Sequence, residues 1–220
     1  MKLTTKNINS ILNIKDHYQA PSRLMEILFN KEERENVFEQ FLKVESDTSF
    51  DWFHTYYQEE HAERKSQKQD FTPESVAEIM SKIVGSESTK MGNSRMDIAA
   101  GTGGLTISKW NQDVRENKHC KPSLFLYHCE ELSDRAVPFL LFNLMIRGMN
   151  GLVVHGDSLE RNAKQIYFIQ NFEDDWNKFS SLNVMPHNFI VEKFFNINKW
   201  SEEEIKHIED QVMPIHLENK

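Results

Sequence analysis

The chain has 220 residues, 39% hydrophobic and 11% aromatic, enough for one sizeable core or a core with a smaller appendage. Its 26 basic and 34 acidic residues leave a formal charge of -8, which excludes nucleic-acid or membrane binding driven by overall charge. If the chain meets DNA, a local basic strip or a partner must supply the attraction.

No apolar run approaches a bilayer's width, and the first residues, MKLTTKNINSILNIKDHYQ, are too polar for a signal-peptide core. The two cysteines, Cys120 and Cys129, suit reduced thiols and point to the cytoplasm rather than to a disulfide framework. Each follows a histidine. However, LFLYHCE reads as a strand, whose alternate residues point to opposite faces, so burial of a small thiol is favoured over a zinc site.

Taken in order, the chain opens with helices. Ala20-Pro21-Ser22 starts one carrying Leu24, Ile27 and Leu28 on one face. Asn30, with Glu33 three residues later, caps a second with Val37, Phe38, Phe41 and Leu42 at helical spacing. A third segment places Phe50, Phe53 and Tyr57 where a packed face is expected, then ends in charge with Arg64, Lys65 and Lys68. Thr72 with Pro73 begins a helix through Val76, Ile79, Met80 and Ile83 to Gly85.

A polar loop then leads to an apolar run ending in M-D-I-A-A-G-T-G-G-L, residues 96–105. A helix (LTISKWNQDV), a strand (SLFLYHCE), a helix from Ser133 to Gly148 and a strand (GLVVHGD) follow. Such alternation predicts a parallel sheet with crossover helices. Beyond Asp157 the pattern weakens. A strand is expected near LNVMP, and Ser201 with Glu204 reads as a capping box for a last helix.

In such a sheet, ligands sit beyond the carboxyl ends of the strands. The first strand ends at Asp97 and opens into Gly101, Gly103 and Gly104; the second ends in Glu130 and the third in Gly156-Asp157. A carboxylate at the second strand end suits two ribose hydroxyls. AAGTGG is not the G-x-G-x-x-G pattern, so a pyrophosphate is not indicated, and a nucleoside without a diphosphate bridge fits better. Residues 156–159 also spell G-D-S-L, a string of certain esterases. Here it follows a third strand, and the tail offers no Asp and His pair to match.

The ordered set Gln69-Asp70-Phe71-Thr72-Pro73, Asp97 through Gly104, Glu130, and Gly156 through Leu159 resembles S-adenosylmethionine-dependent N6-adenine DNA methyltransferases. It looks most like the modification subunits of type I restriction-modification systems. The resemblance spans about Gln69 to Leu159. It implies an α/β fold: a Rossmann-like methyltransferase core with a mostly parallel sheet and flanking helices at 69–220, after an N-terminal helical region at 1–68.

The resemblance also implies roles. Asp97 would hold the cofactor's ammonium group, Ala99, Gly101 and Gly103 would let the backbone approach it, and Glu130 would take the ribose hydroxyls. Asp157 would accept from the adenine amino group, while Phe71, Thr72 and Pro73 would close over the methionine end. Its partners would be DNA, bound weakly by the chain alone, and a specificity subunit or other protein.

The N-P-P-Y or N-P-P-F segment with which that family positions the target amine has no counterpart here. The nearest stretch, residues 183–188, offers Asn183, Pro186 and His187 as candidate catalytic residues. Aligning Pro186 with the second proline puts Val184 where the asparagine belongs and His187 where the aromatic belongs. Valine accepts no hydrogen bond, and losing such an acceptor costs on the order of 3 kcal/mol, about a hundredfold in rate. Two readings stay open: a compact DNA adenine methyltransferase with partner-supplied recognition, or a methyltransferase-like protein that keeps the fold and acts through protein contacts.

Overall fold

Capping and apolar spacing in the first 63 residues act as the sequence predicts. The computed structural model describes residues 3–63, 75–76, 79–80, 93–117 and 119–210. Thr4 caps α1 (Thr5–Leu12), and Pro21 sits in the first turn of α2 (Ala20–Leu28). The Asn30 side chain accepts from Glu33 N–H at 3.2 Å to start α3 (Lys31–Val44), which is followed by α4 (His54–Glu63). Leu24, Ile27, Leu28, Phe38 and Phe41 are all buried, as are Phe53 and Tyr57. The aromatics of the third segment are therefore packing residues, as expected. The basic cluster Arg64, Lys65, Lys68 lies outside the described residues. So does most of the Thr72–Gly85 helix, of which residues 75–76 and 79–80 are helical.

The sheet contains β1 (Asn93–Ile98), β2 (Phe125–Glu131), β3 (Gly151–Asp157), β4 (Asn162–Gln170) and β5 (Ser181–Val184), in that spatial order, with the short β6 (Lys199–Trp200) beside β4. β1–β2, β2–β3 and β4–β6 pair in parallel; β3–β4 and β4–β5 are antiparallel. The Rossmann-like half is therefore β1 to β3, joined by the crossover helices α5 (Gly104–Glu116) and α6 (Val137–Ile146). β1 is an outer strand among the described residues. Its Met96 and Ile98 are more than half exposed, although a parallel strand is usually covered on both faces.

All ten residues of α6 are buried, because it lies between the sheet and the N-terminal helices. Phe142 on α6 meets the rings of Phe38, Phe41 and Phe53 at centroid separations of 4.7, 4.9 and 5.0 Å. Contacts of this kind contribute roughly 0.5–1.5 kcal/mol each beyond area burial. Arg147, just past α6, is 2% exposed and donates to the carbonyls of Thr48, Phe50 and Asn143. Burial pulls its guanidinium down to about 10. The helices before residue 60 and the sheet thus share one core. The other sheet face carries a smaller cluster, Leu126, Leu152, Val154 and Ile166, under the short helix α7 (Phe189–Phe195).

Besides α1 and the short β6, which the sequence reading does not name, three elements differ from it. β4 was not anticipated. Its buried positions include Gln165 and Gln170, which break the apolar pattern, and Gln165 spends its amide on Glu203 O and Ile205 N. α7 was likewise unanticipated, although Asn188 caps it by accepting from Val191 N–H. The helix expected from Ser201 and Glu204 does not form within residues 201–210. There Ser201 N–H donates to Ala163 O, Val184 N–H donates to His207 O, and Ile208 bridges Asn183, so β4 and β5 take the backbone groups a helix would need.

Gly156 sits at a register shift between β3 and β4, and a Cβ there would lie 2.2 Å from Asn162 O. The Gly156→Ala variant is expected to lose about 2 kcal/mol or more of unfolding free energy in urea titration, because the antiparallel backbone cannot withdraw without breaking the pair. An unchanged denaturation midpoint would show that β4 tolerates the added group.

Candidate cofactor site at the strand ends

The glycine loop leaves β1 in an unusual conformation. Ala99, Gly101 and Gly103 all have positive φ, at 62°, 59° and 96°. For alanine that is a strained backbone of the kind that clusters at functional sites. The two glycines do different work. Gly101 lines a cavity of about 620 Å³, within the range of small-molecule sites. Gly103 makes room for Leu140, whose Cδ1 would be 2.9 Å from an added Cβ.

The cavity lies where the sequence places it, at the carboxyl ends of β1, β2 and β3. It is lined by Gly101, Glu131 and Asp157 together with Asp51 and His54 from the N-terminal region. Ile98, Leu132 and Leu159, each more than half exposed, supply an apolar rim. Asp51 and His54 were not singled out from sequence. They stand some fifty residues before the glycines, and no local pattern links them to that loop.

The carboxylate beside the cavity is one position along from the one the sequence points to. Glu130 is fully buried and accepts from Arg161 Nη1 at 3.0 and 2.8 Å, while Arg161 Nη2 donates to Phe195 O. It faces α7, not the cavity. The adjacent Glu131 points the other way: its Oε2 accepts from Gly101 N–H at 2.7 Å and its Oε1 from Ser133 N–H at 2.8 Å. Successive strand residues face opposite sides, so reading the strand end one residue short picks Glu130, while the structure puts Glu131 at the cavity. Each oxygen of Glu131 keeps a further lone pair for a ligand hydroxyl.

Asp97 lies beneath the loop and accepts from Thr106 Oγ1 at 2.7 Å. Burial pushes its carboxyl above the usual range. The Thr106 hydrogen bonds oppose this, and the like charge of Glu131 adds to it. No basic side chain acts on it among the described residues. Asp157 borders the cavity, where its Oδ1 accepts from Leu159 and Glu160 N–H and closes the turn. Phe71, Thr72 and Pro73 lie outside the described residues.

Asn183, Pro186 and His187 do not join this site. β5 points the same way as β1, but strand spacings of about 4.8 Å put it roughly 19 Å from β1 and roughly 10 Å from β3, the nearest strand of the cavity, and none of the three residues lines it. Asn183 Oδ1 accepts from Glu209 and Asp210 N–H, and Glu209 in turn forms a two-point ion pair with buried Arg34. His187 stacks on Trp200 at 3.7 Å and its backbone N–H donates to Glu204. These groups hold the carboxyl-terminal segment against the sheet.

Two outcomes follow. Glu130→Gln leaves Arg161 without its counter-charge and is expected to cost about 3 kcal/mol in chemical denaturation; a loss below 0.5 kcal/mol would contradict the pairing. Asp97 has a folded pKa above its unfolded value, so its charge costs stability at neutral pH. That cost disappears as pH falls through the folded value toward about 4. Asp97→Asn is therefore expected to melt at or above the wild-type temperature at pH 7, with the difference shrinking toward pH 4. A lower melting temperature at pH 7 would reverse the sign of the argument.

No match was found among curated proteins or among solved structures. Among the described residues, no helix is long and apolar enough to cross a membrane. The family model described as N-6 DNA Methylase matches residues 47–216, well over half of the chain and the whole of the cavity-lining set, and the chain belongs to that family.

Proposed function

We propose that this chain binds S-adenosylmethionine in the strand-end cavity and takes part in methylating adenine N6 in DNA, with the target sequence read by a partner such as the specificity subunit of a restriction-modification system. The observation that carries the reading is a pair of carboxylates, Asp97 and Glu131, held beside the glycine loop with neutral donors as hydrogen-bond partners. A buried carboxylate without a basic neighbour favours a cationic ligand.

When bound, the cofactor supplies a methyl group on a positively charged sulfur. Asp97 holds its ammonium group, Glu131 takes over from Glu130 as acceptor of the ribose hydroxyls, and Asp157 accepts from the adenine amino group. Ile98, Leu132 and Leu159 offer the purine apolar contact. Phe71, Thr72 and Pro73 close over the methionine end, as the resemblance implies. The formal charge of -8 makes DNA binding by the chain alone weak, which supports a partner. A cytoplasmic setting suits the reduced thiols.

A second reading, a methyltransferase-like protein that keeps the cofactor fold and acts through protein contacts, draws on a specific observation. Asn183 and His187, the residues closest to the family's base-positioning segment, are spent on internal contacts at β5 and just beyond it, and β5 is two strands from β3, the cavity's nearest strand.

Calorimetry with S-adenosylmethionine, followed by transfer of labelled methyl to DNA of varied sequence with candidate partners present, separates the readings. Binding with transfer is the expected result, and binding without transfer leaves the second reading. Glu131→Gln is expected to weaken binding about tenfold or more, since a charge-assisted hydrogen bond is lost. Gly101→Leu, which fills the cavity at a positive φ, is expected to abolish it. Wild-type protein that binds no cofactor would overturn the assignment of the glycine loop to S-adenosylmethionine in either reading.

A further inference from the structure

The glycine loop does not stand on its own residues. Thr102, at its centre, is 2% exposed and donates through Oγ1 to Asp51 Oδ2 at 2.5 Å. Its carbonyl accepts from Asn143 Nδ2 at 2.8 Å, and the same amide donates to Asp51 Oδ1 at 2.8 Å. Asp51 is fixed in turn by Phe53 N–H at 2.9 Å, and Asn143 by Arg147, which also holds the carbonyls of Thr48 and Phe50. The carboxylate of Asp51 thus ties the loop to α6 and to the segment at residues 48–53.

That tie matters because of the loop's backbone. Three positive φ angles within five residues, one of them on alanine, form a conformation the loop would leave if nothing outside over-determined it. The hydroxyl and carbonyl of Thr102 are the handles on the buried side, while Gly101 faces the cavity. Asp51 also borders that cavity and a second one of about 870 Å³ among the N-terminal helices, so it stands at the wall between them.

Building on the cofactor reading above, we propose that Asp51 is a positioning residue: acting through Thr102, it holds the glycine loop in the form that binds S-adenosylmethionine. The N-terminal region then belongs to the binding machinery, and a change fifty residues upstream of the glycines alters cofactor affinity without touching the glycine motif.

The test measures cofactor dissociation constants by calorimetry on the full chain, alongside thermal melting without ligand. Thr102→Val removes the hydroxyl but leaves the Asp51 and Arg147 charges together, so it keeps the test valid if Asp51→Asn does not fold. Thr102→Val is expected to weaken binding about tenfold or more, and Thr102→Ser, which keeps the hydroxyl, to stay within about threefold of wild type. Asp51→Asn should match Thr102→Val, and the double variant should bind no more weakly than either single one.

A Thr102→Val protein that melts lower but binds as wild type does would reduce the contact to a structural one and overturn the proposal. Wild-type protein that binds nothing overturns the cofactor reading and this inference together. Tight wild-type binding with equally tight variants overturns this inference alone.

Discussion

The parallel pairing of β1 with β2 is the constraint from which the site follows. Ile98 lies opposite Glu130, and Ala100 N–H donates to Glu130 O just beyond the last pair. That register carries the glycine loop across the end of β2 and leaves the next side chain, Glu131, to capture Gly101 N–H. Shifting the register by one residue would present Glu130 to the loop and turn Glu131 toward α7, because side chains alternate with period two. Arg161 guards against the slip: half-buried beside the fully buried Glu130, it rewards one register with an ion pair.

A second consequence concerns charge. The cavity end of the sheet gathers Asp51, Asp97, Glu131 and Asp157, of which three line the cavity and Asp97 lies beneath it. Among the described residues their hydrogen-bond donors are backbone N–H groups, hydroxyls and an amide, which carry no positive charge. Burial, with the like charge of Glu131 adding to it, raises the pKa of Asp97, which is a cost to the fold at neutral pH. Functional sites are where such costs are retained. The opposite edge of the sheet behaves differently, since Arg34 meets Glu209 there and Asn183 caps the backbone of the same segment. That arrangement is what a stabilising clasp requires.

How much of this the sequence reveals depends on how local each signal is. The cap at Asn30, the crossover helices, and β3 over its full length are set by neighbours within a few residues, and they are legible; the Ser133 hydroxyl closes the turn before α6, whose N-cap is Ala136. So is the cavity's position, because strand-end glycines and acids mark it. The choice between Glu130 and Glu131 is not legible, because strand alternation says that they differ but not which one faces the loop. β4 hides behind two buried glutamines, and the partners of one, Gln165, lie some forty residues away. Ser201 and Glu204 carry the letters of a capping box, yet tertiary pairing with β4 and β5 claims that backbone. Asp51 is the extreme case, since its importance exists only once the chain has folded.

The central claim is that the cofactor sits on the β1 loop, the end of β2 and the segment at residues 48–54, and not near β5. Amide hydrogen exchange with and without saturating S-adenosylmethionine addresses it region by region in one experiment. Slower exchange confined to residues 49–54, 100–105 and 131–133, with residues 183–188 unchanged, is the expected pattern. Protection at residues 183–188 with none at residues 100–105 would contradict it.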